Sequence, residues 1–547
     1  MTLFRGRKGW SRFLLYLFAV LIASLLFAAS FPNLLVSQGI PLLAWIAYIP
    51  LFWLLYQVNV GASVFWGALY GYAAYGLFNY WLSVFHPLAG LIVGLIYLVF
   101  FAVLFPLLKA ASLLFPRRGY IVQWLIWIAY EYLRTQGFLG YPYGITGYSQ
   151  WTQLPVIQIA DIFGVWGVSA LVIFPSVYLA AALKDFLSPK GEGGNPTGGL
   201  ALLKGFIRRE PVALVIWLVA MAAALNYGFV SPVDYRDAPT ARIALIQHNT
   251  DPWRGDMEDY RQNFRVLRRL SQEALASSKP DLVVWSETAF VPRIYWHETY
   301  RDDQESYALV KELLDYLKIQ EVPFVIGNDD ARLEVNDKGQ WERVDYNAVM
   351  LFNRGEIAGL YRKLHLVPFT EYFPYEKQLP WVYNALKNAD THFWKTGKEA
   401  TVFSINGLKF SSPICFEDTF GYLSREFVKN GAEFIVNLSN DAWSKSLPAQ
   451  MQHLSMAVFR AVENRCSMVR STASGQTCGI DPNGRILAMA EPFAEVQLTV
   501  EIPVVKSDSL YTRYGDFFPR ICTAAAFLVL IAGLGGHIIK MRKGRKQ

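Results

Sequence analysis

The feature that most constrains this chain is a train of apolar stretches, each close to the ~20 residues that an α-helix needs to cross the hydrocarbon core of a bilayer. Seven fall within the first part of the chain, at about 12–31, 40–57, 64–85, 87–115, 120–137, 163–183 and 211–230, and an eighth lies at about 518–540. Composition agrees. Charged residues are 17% of the chain, against about 25% in a soluble domain, and hydrophobic residues reach 53%. The aromatic share of 15% suits rings gathered at a membrane–water boundary. Arg5, Arg7 and Lys8 ahead of an apolar run ending in Ala28–Ala29–Ser30 resemble a secretory leader. More apolar stretches follow at once, so the first is expected to be an uncleaved span.

Basic residues between the stretches set an expected orientation. Arg5, Arg7, Lys8 and Arg12 place the N-terminus inside. Lys109, Arg117 and Arg118 mark the turn after the fourth span as inside, and Lys184, Lys190, Lys204, Arg208 and Arg209 do the same after the sixth. The tail carries Lys540, Arg542, Lys543, Arg545 and Lys546. The net charge of +7 is therefore a topology signal rather than a nucleic-acid footprint. About eight spans with both ends inside put the segment between the seventh and eighth outside.

That segment, about 240–505, has the pattern of an α/β domain. β-rich runs at 241–249, 281–287 and 322–327 alternate with helical patterns near 256–277 and 303–319, and later 432–438 and 467–474 flank a helix near 448–464. Asn406–Gly407 and Asn483–Gly484 are hairpin-turn signals. The expected division is a transmembrane domain over 1–235, a catalytic domain over 236–505, and a linker, last span and basic tail over 506–547. The Gly/Pro-rich stretch 188–200 is expected to be an inner-side loop.

Three runs put reactive side chains at expected strand ends, where α/β folds place their sites. They are Trp285–Ser286–Glu287–Thr288, Tyr361–Arg362–Lys363–Leu364–His365 and Ile414–Cys415–Phe416–Glu417. Singly each has a plainer reading: a surface carboxylate, a solvated lysine, a small buried thiol. His365 invites a cysteine–histidine pair, but no papain-type flanks accompany it. Together they make a nucleophile, a cation to favour its thiolate or an oxyanion, and a base to take its proton. The other cysteines, Cys466, Cys478 and Cys522, show no metal-ligand spacing, and pairing of Cys466 with Cys478 stays open.

A Glu, a Lys and a Cys in this order resemble the nitrilase superfamily, whose fold is an αββα sandwich. With about eight spans added, the chain resembles the bacterial apolipoprotein N-acyltransferase family. The runs that carry the resemblance are YRKLHLVPFTEYFP at 361–374, CFE at 415–417, NLSNDAW at 437–443, Gln452 to Arg465, RSTASG at 470–475, GYSQ at 147–150 and YTRYGD at 511–516. It implies Glu287 as general base, Lys363 as oxyanion stabiliser and Cys415 as nucleophile, with Glu371 and Glu417 in support. Trp253, Phe416, Asn440, Trp443, Phe369 and Tyr372 are implied substrate or loop contacts; where the family often has tyrosine after the nucleophile, Phe416 lacks the hydroxyl.

The implied reaction has two steps and needs neither metal nor organic cofactor. A phospholipid acylates Cys415 as a thioester, and the α-amino group of a diacylglyceryl-cysteine apolipoprotein then takes the acyl chain. The implied location is the bacterial inner membrane, with the catalytic domain in the periplasm and both termini cytoplasmic. Rings after Lys363 (Phe369, Tyr372, Phe373, Trp381) and after Glu287 (Phe290, Tyr295, Trp296) either dip into the headgroup region or pack under long loops. The rival readings are a membrane-tethered amidase with the same triad, and a transporter with an outer sensing domain. The transporter would want charges inside its spans, and Glu131, Arg134 and Asp161 are expected at the interface instead.

Overall fold

The computed structural model describes residues 7–85, 87–186, 198–250, 255–336, 339–388, 392–506 and 508–544. Arg5, Lys190, Trp253, Arg545 and Lys546, and most of the 188–200 stretch, lie outside the described residues. The chain forms two compact units, Met1–Ser231 with Asp516–Gln547, and Pro232–Gly515.

The first unit is helical. Among the described residues, five helices are long and apolar enough to cross a bilayer: Gly9–Ser30, Pro87–Leu114, Val165–Ala182, Pro211–Val230 and Phe517–Arg542. Pro211–Val230 buries only Ala224 and Gly228, and it exposes Val212, Val215, Ile216, Leu218 and Val219. A flank that apolar is stable against lipid, not against water.

Three expected spans take other forms. The 40–57 stretch breaks into a 3₁₀ turn, Pro41–Trp45, and a short helix, Ile49–Gln57, each with a proline in its first turn. The 64–85 stretch becomes a helix from Val60 to Phe78 followed by a turn at Leu82–Phe85, and 120–137 becomes Gly119–Leu133. Glycine is why Val60–Phe78 fits where it does. A Cβ on Gly67 or Gly71 would collide with the carbonyls of Phe101 and Tyr97, so these two positions let it press against the backbone of Pro87–Leu114.

Lys109 corrects the expected inner turn. It sits within Pro87–Leu114, buried, and its ammonium donates to the Leu55 carbonyl at 2.8 Å. Arg117 and Arg118 do occupy the turn, where both pair with Glu210. Glu131 and Arg134 are buried within the unit and hold non-helical backbone. Arg134 donates to the carbonyls of Tyr141 (2.8 Å) and Tyr143 (3.0 Å), and Glu131 accepts from the Thr146 N–H at 3.0 Å, at the start of the 3₁₀ turn Thr146–Gln150. Irregular backbone at membrane depth needs such internal partners.

The second unit contains two six-stranded sheets. The first holds β1 (Thr240–Gln247), β2 (Leu282–Trp285), β3 (Phe324–Val335), β4 (Trp341–Asn353) and β5 (Glu356–Arg362). The second holds β6 (Phe403–Ile405), β7 (Leu408–Ser411), β8 (Phe434–Ser439), β9 (Ser467–Thr472), β10 (Cys478–Ile480) and β11 (Ile486–Met489). The last strand, β12 (Val496–Pro503), returns to the first sheet beside β1, giving the orders β12-β1-β2-β3-β4-β5 and β11-β10-β9-β8-β7-β6.

Helices Met257–Ser278 and Gln304–Lys318 bury Phe264, Leu267, Leu309 and Leu313 against Ala244, Ile246, Val283 and Trp285 of the first sheet. The Ser471 hydroxyl of β9 lies within hydrogen-bond reach of the carbonyls of Ile246 and Val284, which joins the inner faces of the two sheets. Asn406 and Gly407 both have positive φ (50° and 82°), the backbone of a tight hairpin turn between β6 and β7. At the other turn only Gly484 is left-handed; the Asp481 carboxylate accepts from the N–H groups of Asn483 and Arg485 instead. Residues 508–515 belong to this unit, where the Arg425 guanidinium donates to the Tyr511 carbonyl at 3.1 Å.

Candidate active site

Four strands end at one place. Glu287 follows β2, Lys363 follows β5, Cys415 comes just after β7, and Asn440 follows β8. β2 (LVVW) and the first half of β8 (FIVNLS) are mostly β-branched and aromatic, while β5 (EIAGLYR) and β7 (LKFS) are mixed; in all of them the reactive group sits just past the end of pairing.

The Glu287 carboxylate is held on both oxygens. Oε1 accepts from the Asn347 amide at 2.8 Å and lies 3.5 Å from the Lys363 ammonium; Oε2 accepts from the Asn440 backbone N–H at 2.9 Å. Lys363 is wholly buried and also donates to Glu371 Oε1 at 2.8 Å, while Glu371 Oε2 accepts from the Val367 N–H at 3.0 Å. Burial alone would lower the lysine's pKa, but Glu371 first and then Glu287 more than reverse this, so it is raised and the ammonium stays charged. Glu371 moves up from its ordinary value because burial outweighs the pull of Lys363.

Cys415 has φ +49°, in the left-handed region that a side-chain-bearing residue enters only when its surroundings hold it there. Ile414 bridges to Leu438 of β8, and Cys415 opens a 3₁₀ turn, Cys415–Thr419. Glu417, in that turn, fixes it. Its carboxylate accepts from the N–H groups of Ile414 (2.7 Å), Leu364 (2.7 Å) and His365 (2.9 Å), and from the Tyr361 hydroxyl. The nucleophile's turn and the end of the lysine's strand are thus tied through one buried carboxylate, which burial pushes up to about 6. The Cys415 thiol is raised above its ordinary value, by burial first and the Glu287 charge second, with Lys363 pulling the other way. It rests as a thiol, so attack requires a base.

The remaining expected contacts sort differently. Phe416 turns inward, its ring 5.0 Å from Phe420 and 5.9 Å from His365. His365 stacks on Phe420 at 3.9 Å and meets the Tyr422 hydroxyl at 2.8 Å; burial, then Lys363, lower it to about 4. That places a neutral imidazole in an aromatic stack rather than a base beside Cys415. Trp443 lies in the 3₁₀ turn Asp441–Ser444, half-buried, just past Asn440. Phe369 (φ +64°) and Tyr372 share a backbone hydrogen bond in the loop that carries Glu371.

That loop is part of an excursion closed at its base. The Gly397 N–H returns to the Lys363 carbonyl at 2.7 Å, and the Trp394 N–H to the Glu371 carbonyl at 3.0 Å. Its outer part exposes Tyr375, Leu379 and Trp381, the last 71% exposed, and the helix Pro380–Asn388 buries no residue. The rings after Glu287 behave otherwise. Phe290 belongs to the core, and Tyr295 and Trp296 lie against the guanidinium groups of Arg332 and Arg343.

Asn347 is a site residue with no motif of its own: it lies mid-strand in β4, and only strand pairing brings it to the site. Tyr361 and Ser439 stand inside the runs 361–374 and 437–443, but nothing in those runs marks their hydrogen bonds to Glu417 and Asp441. Cys466, Cys478 and Cys522 are buried free thiols.

A carbon-nitrogen hydrolase profile matches residues 242–510, and a profile described as the apolipoprotein N-acyltransferase N-terminal domain matches 23–178. Apolipoprotein N-acyltransferase 1 of Treponema pallidum (strain Nichols) is 47% identical over 547 residues, covering 99% of this chain and 98% of its own. Its counterpart in Treponema denticola is 45% identical over 534 residues, covering 95% and 96%. Among solved structures, the carbon-nitrogen hydrolase from Helicobacter pylori G27 is similar over 52% of this chain and 98% of its own, at 16% identity and a TM-score of 0.37.

Proposed function

Because this chain belongs to the apolipoprotein N-acyltransferase family, we propose that its N-acylation of lipoproteins runs through Cys415, Glu287 and Lys363 by way of a thioester on the enzyme. The observation that carries the reading is the Lys363 ammonium 3.5 Å from the Glu287 carboxylate, both acting on the Cys415 thiol.

In the first step Cys415 Sγ attacks the ester carbonyl of a phospholipid, and Glu287 takes the thiol proton. The carbonyl oxygen becomes an oxyanion, stabilised by the Lys363 ammonium. The carbon–oxygen bond to the glycerol breaks, Glu287 returns its proton to the leaving alkoxide, and lysophospholipid departs. In the second step the free α-amino group of diacylglyceryl-cysteine attacks the thioester. Glu287 accepts the amine proton, the carbon–sulfur bond breaks, and the thiolate regains a proton from Glu287. Glu371 keeps Lys363 cationic throughout, and Glu417 keeps Cys415 aimed.

The same proposal sets the topology. The broken stretch Pro41–Gln57 and the helices Val60–Phe78 and Gly119–Leu133 complete eight spans beside the five long ones, both termini are cytoplasmic, and the catalytic unit faces the periplasm of the inner membrane. Supporting this, the turn at Arg117 and Arg118 meets Glu210, at the end of the basic helix Gly199–Arg209, so two basic connections share one side. The exposed rings of the 363–397 excursion suit a headgroup layer.

Intact-protein mass spectrometry with phospholipid alone tests the chemistry. A fatty-acyl increment on the wild type and not on Cys415→Ala, discharged by a diacylglyceryl peptide with a free amine, is expected. No increment, with turnover of small amides, would establish a tethered amidase instead.

A further inference from the structure

Behind the nucleophile's turn lie four buried ionisable groups that the reaction as written does not use: Asp418, Asp441, His453 and Arg470, none more than 4% exposed. They come from four separate elements. Asp418 is the residue after Glu417 in the turn that begins at Cys415. Asp441 is the residue after Asn440, whose backbone N–H holds Glu287. His453 lies on the helix Leu447–Asn464, and Arg470 is mid-strand in β9.

The imidazole stands between the two carboxylates. Its Nε2 is 2.7 Å from Asp418 Oδ1, and its Nδ1 is 3.0 Å from Asp441 Oδ1. Arg470 spans the same pair, meeting Asp418 at close range and Asp441 Oδ2 at 3.5 Å. The Ser439 hydroxyl lies 3.0 Å from Asp441 Oδ1 and interacts with the Cys415 thiol, favouring its ionised form. Gly475 packs beside Asp441: a Cβ there would lie 2.7 Å from Asp441 Oδ2, so only glycine fits next to that carboxylate.

Two like charges brought this close repel, and they stay together only with a bridging donor group between them. Glu417 already ties the Cys415 turn to the end of β5; Asp418 ties the same turn to His453, which in turn meets Asp441 just past β8. We propose that His453 is a positioning residue, whose rigid ring links the turn that aims Cys415 to the loop that holds Glu287 and so sets the distance between nucleophile and base. This rests on the reading of Cys415 as nucleophile and Glu287 as base.

The link matters because one carboxylate serves two different substrates. Glu287 must meet a thiol proton and an alkoxide in the first step, then an ammonium proton and a thiolate in the second. A base that shifted between the steps would serve one of them poorly.

The test is single-turnover acylation by phospholipid, followed by intact-protein mass spectrometry in wild type, His453→Gln, Asp441→Asn, the double variant and Cys415→Ala. His453→Gln is expected to slow acyl-enzyme formation by about ten- to a hundredfold with the half-saturating phospholipid concentration unchanged. Asp441→Asn cuts the same link, so the double variant is expected to be no slower than the slower single one. An unchanged rate in His453→Gln overturns the proposal. So do losses that multiply in the double variant together with a changed half-saturation, since those describe general loosening. If His453→Gln does not fold, Asp418→Asn keeps the side-chain shape, cuts the same link and carries the same expectation. Acylation of Cys415→Ala would instead overturn the underlying assignment of the nucleophile, whatever the His453 result.

Discussion

The Tyr361 hydroxyl lies 2.8 Å from both carboxylate oxygens of Glu417, 56 residues further along the chain. Buried hydrogen bonds to a charged acceptor contribute about 1.5–3 kcal/mol each. Tyr361→Phe is therefore expected to lower unfolding stability by about that amount. Glu417→Gln is expected to cost more, because its amide turns a donor towards backbone N–H groups that need an acceptor. Thermal or denaturant unfolding checks both, and an equal effect of the two variants would contradict the assigned geometry.

Lys363→Met should expose what the ammonium is holding. The variant leaves Glu287 and Glu371 buried without their shared cation, a loss of about 3–5 kcal/mol near neutral pH. The Glu371 carboxyl, already raised by burial, loses the cation that pulled it down and rises further. The unfolded state then binds fewer protons than the folded one across that window, so the destabilisation is largest at high pH and shrinks as pH falls and Glu371 protonates. Unfolding midpoints of variant and wild type from pH 5 to 8 should converge towards acid.

The Cys415 thiol gives a pH signature of its own. Its pKa is raised by burial and then by the Glu287 charge. Glu287→Gln removes that charge while Lys363 remains, so the alkylation profile of Cys415 is expected to move to lower pH by about a unit or more, although transfer is abolished. Iodoacetamide kinetics read by mass spectrometry decide it; a profile shifted to higher pH would sink the charge assignment. Cys466 and Cys478, fully buried and pushed up to about 12, should stay unmodified until the protein unfolds.

Trp381→Ser tests the excursion. A side chain 71% exposed contributes little to folding, so unfolding stability should change by less than about 0.5 kcal/mol. Turnover of phospholipid in vesicles is expected to fall through a higher half-saturation, with the acylation rate at saturation kept. A loss of stability with unchanged half-saturation would instead make the ring ordinary packing.

The sequence made Glu287, Lys363 and Cys415 visible because each stands where a strand's pattern stops and a recognisable run surrounds it. Asn347 carried no such signal, and the runs that contain Tyr361 and His453 do not show what those side chains hold. Their roles arise from the pairing of β4 with β5 and from the packing of Leu447–Asn464, and neither can be read from local pattern. Helix patterns placed Met257–Ser278, Gln304–Lys318 and Leu447–Asn464 to within a residue or two, since their apolar faces repeat clearly, but the shorter Ile294–Tyr300, Pro380–Asn388 and Gly421–Lys429 gave too few turns to be read. The helical unit was harder. Apolar runs look alike whether they form one long helix or the broken pair Pro41–Trp45 and Ile49–Gln57. Lys109 was misplaced for a related reason: a basic residue signals a connection only when no carbonyl inside the unit is there to receive it.

The return of the Gly397 N–H to the Lys363 carbonyl gives the enzyme a removable part. The outer part beyond that closure, around the helix Pro380–Asn388, buries no residue of that helix, and each doubling of such a loop costs only about 0.6 kcal/mol of closure entropy. Only Glu371 and its immediate surroundings are bound to the chemistry inside it. Shortening or replacing the outer stretch is therefore expected to leave the bond-making residues where the strands put them.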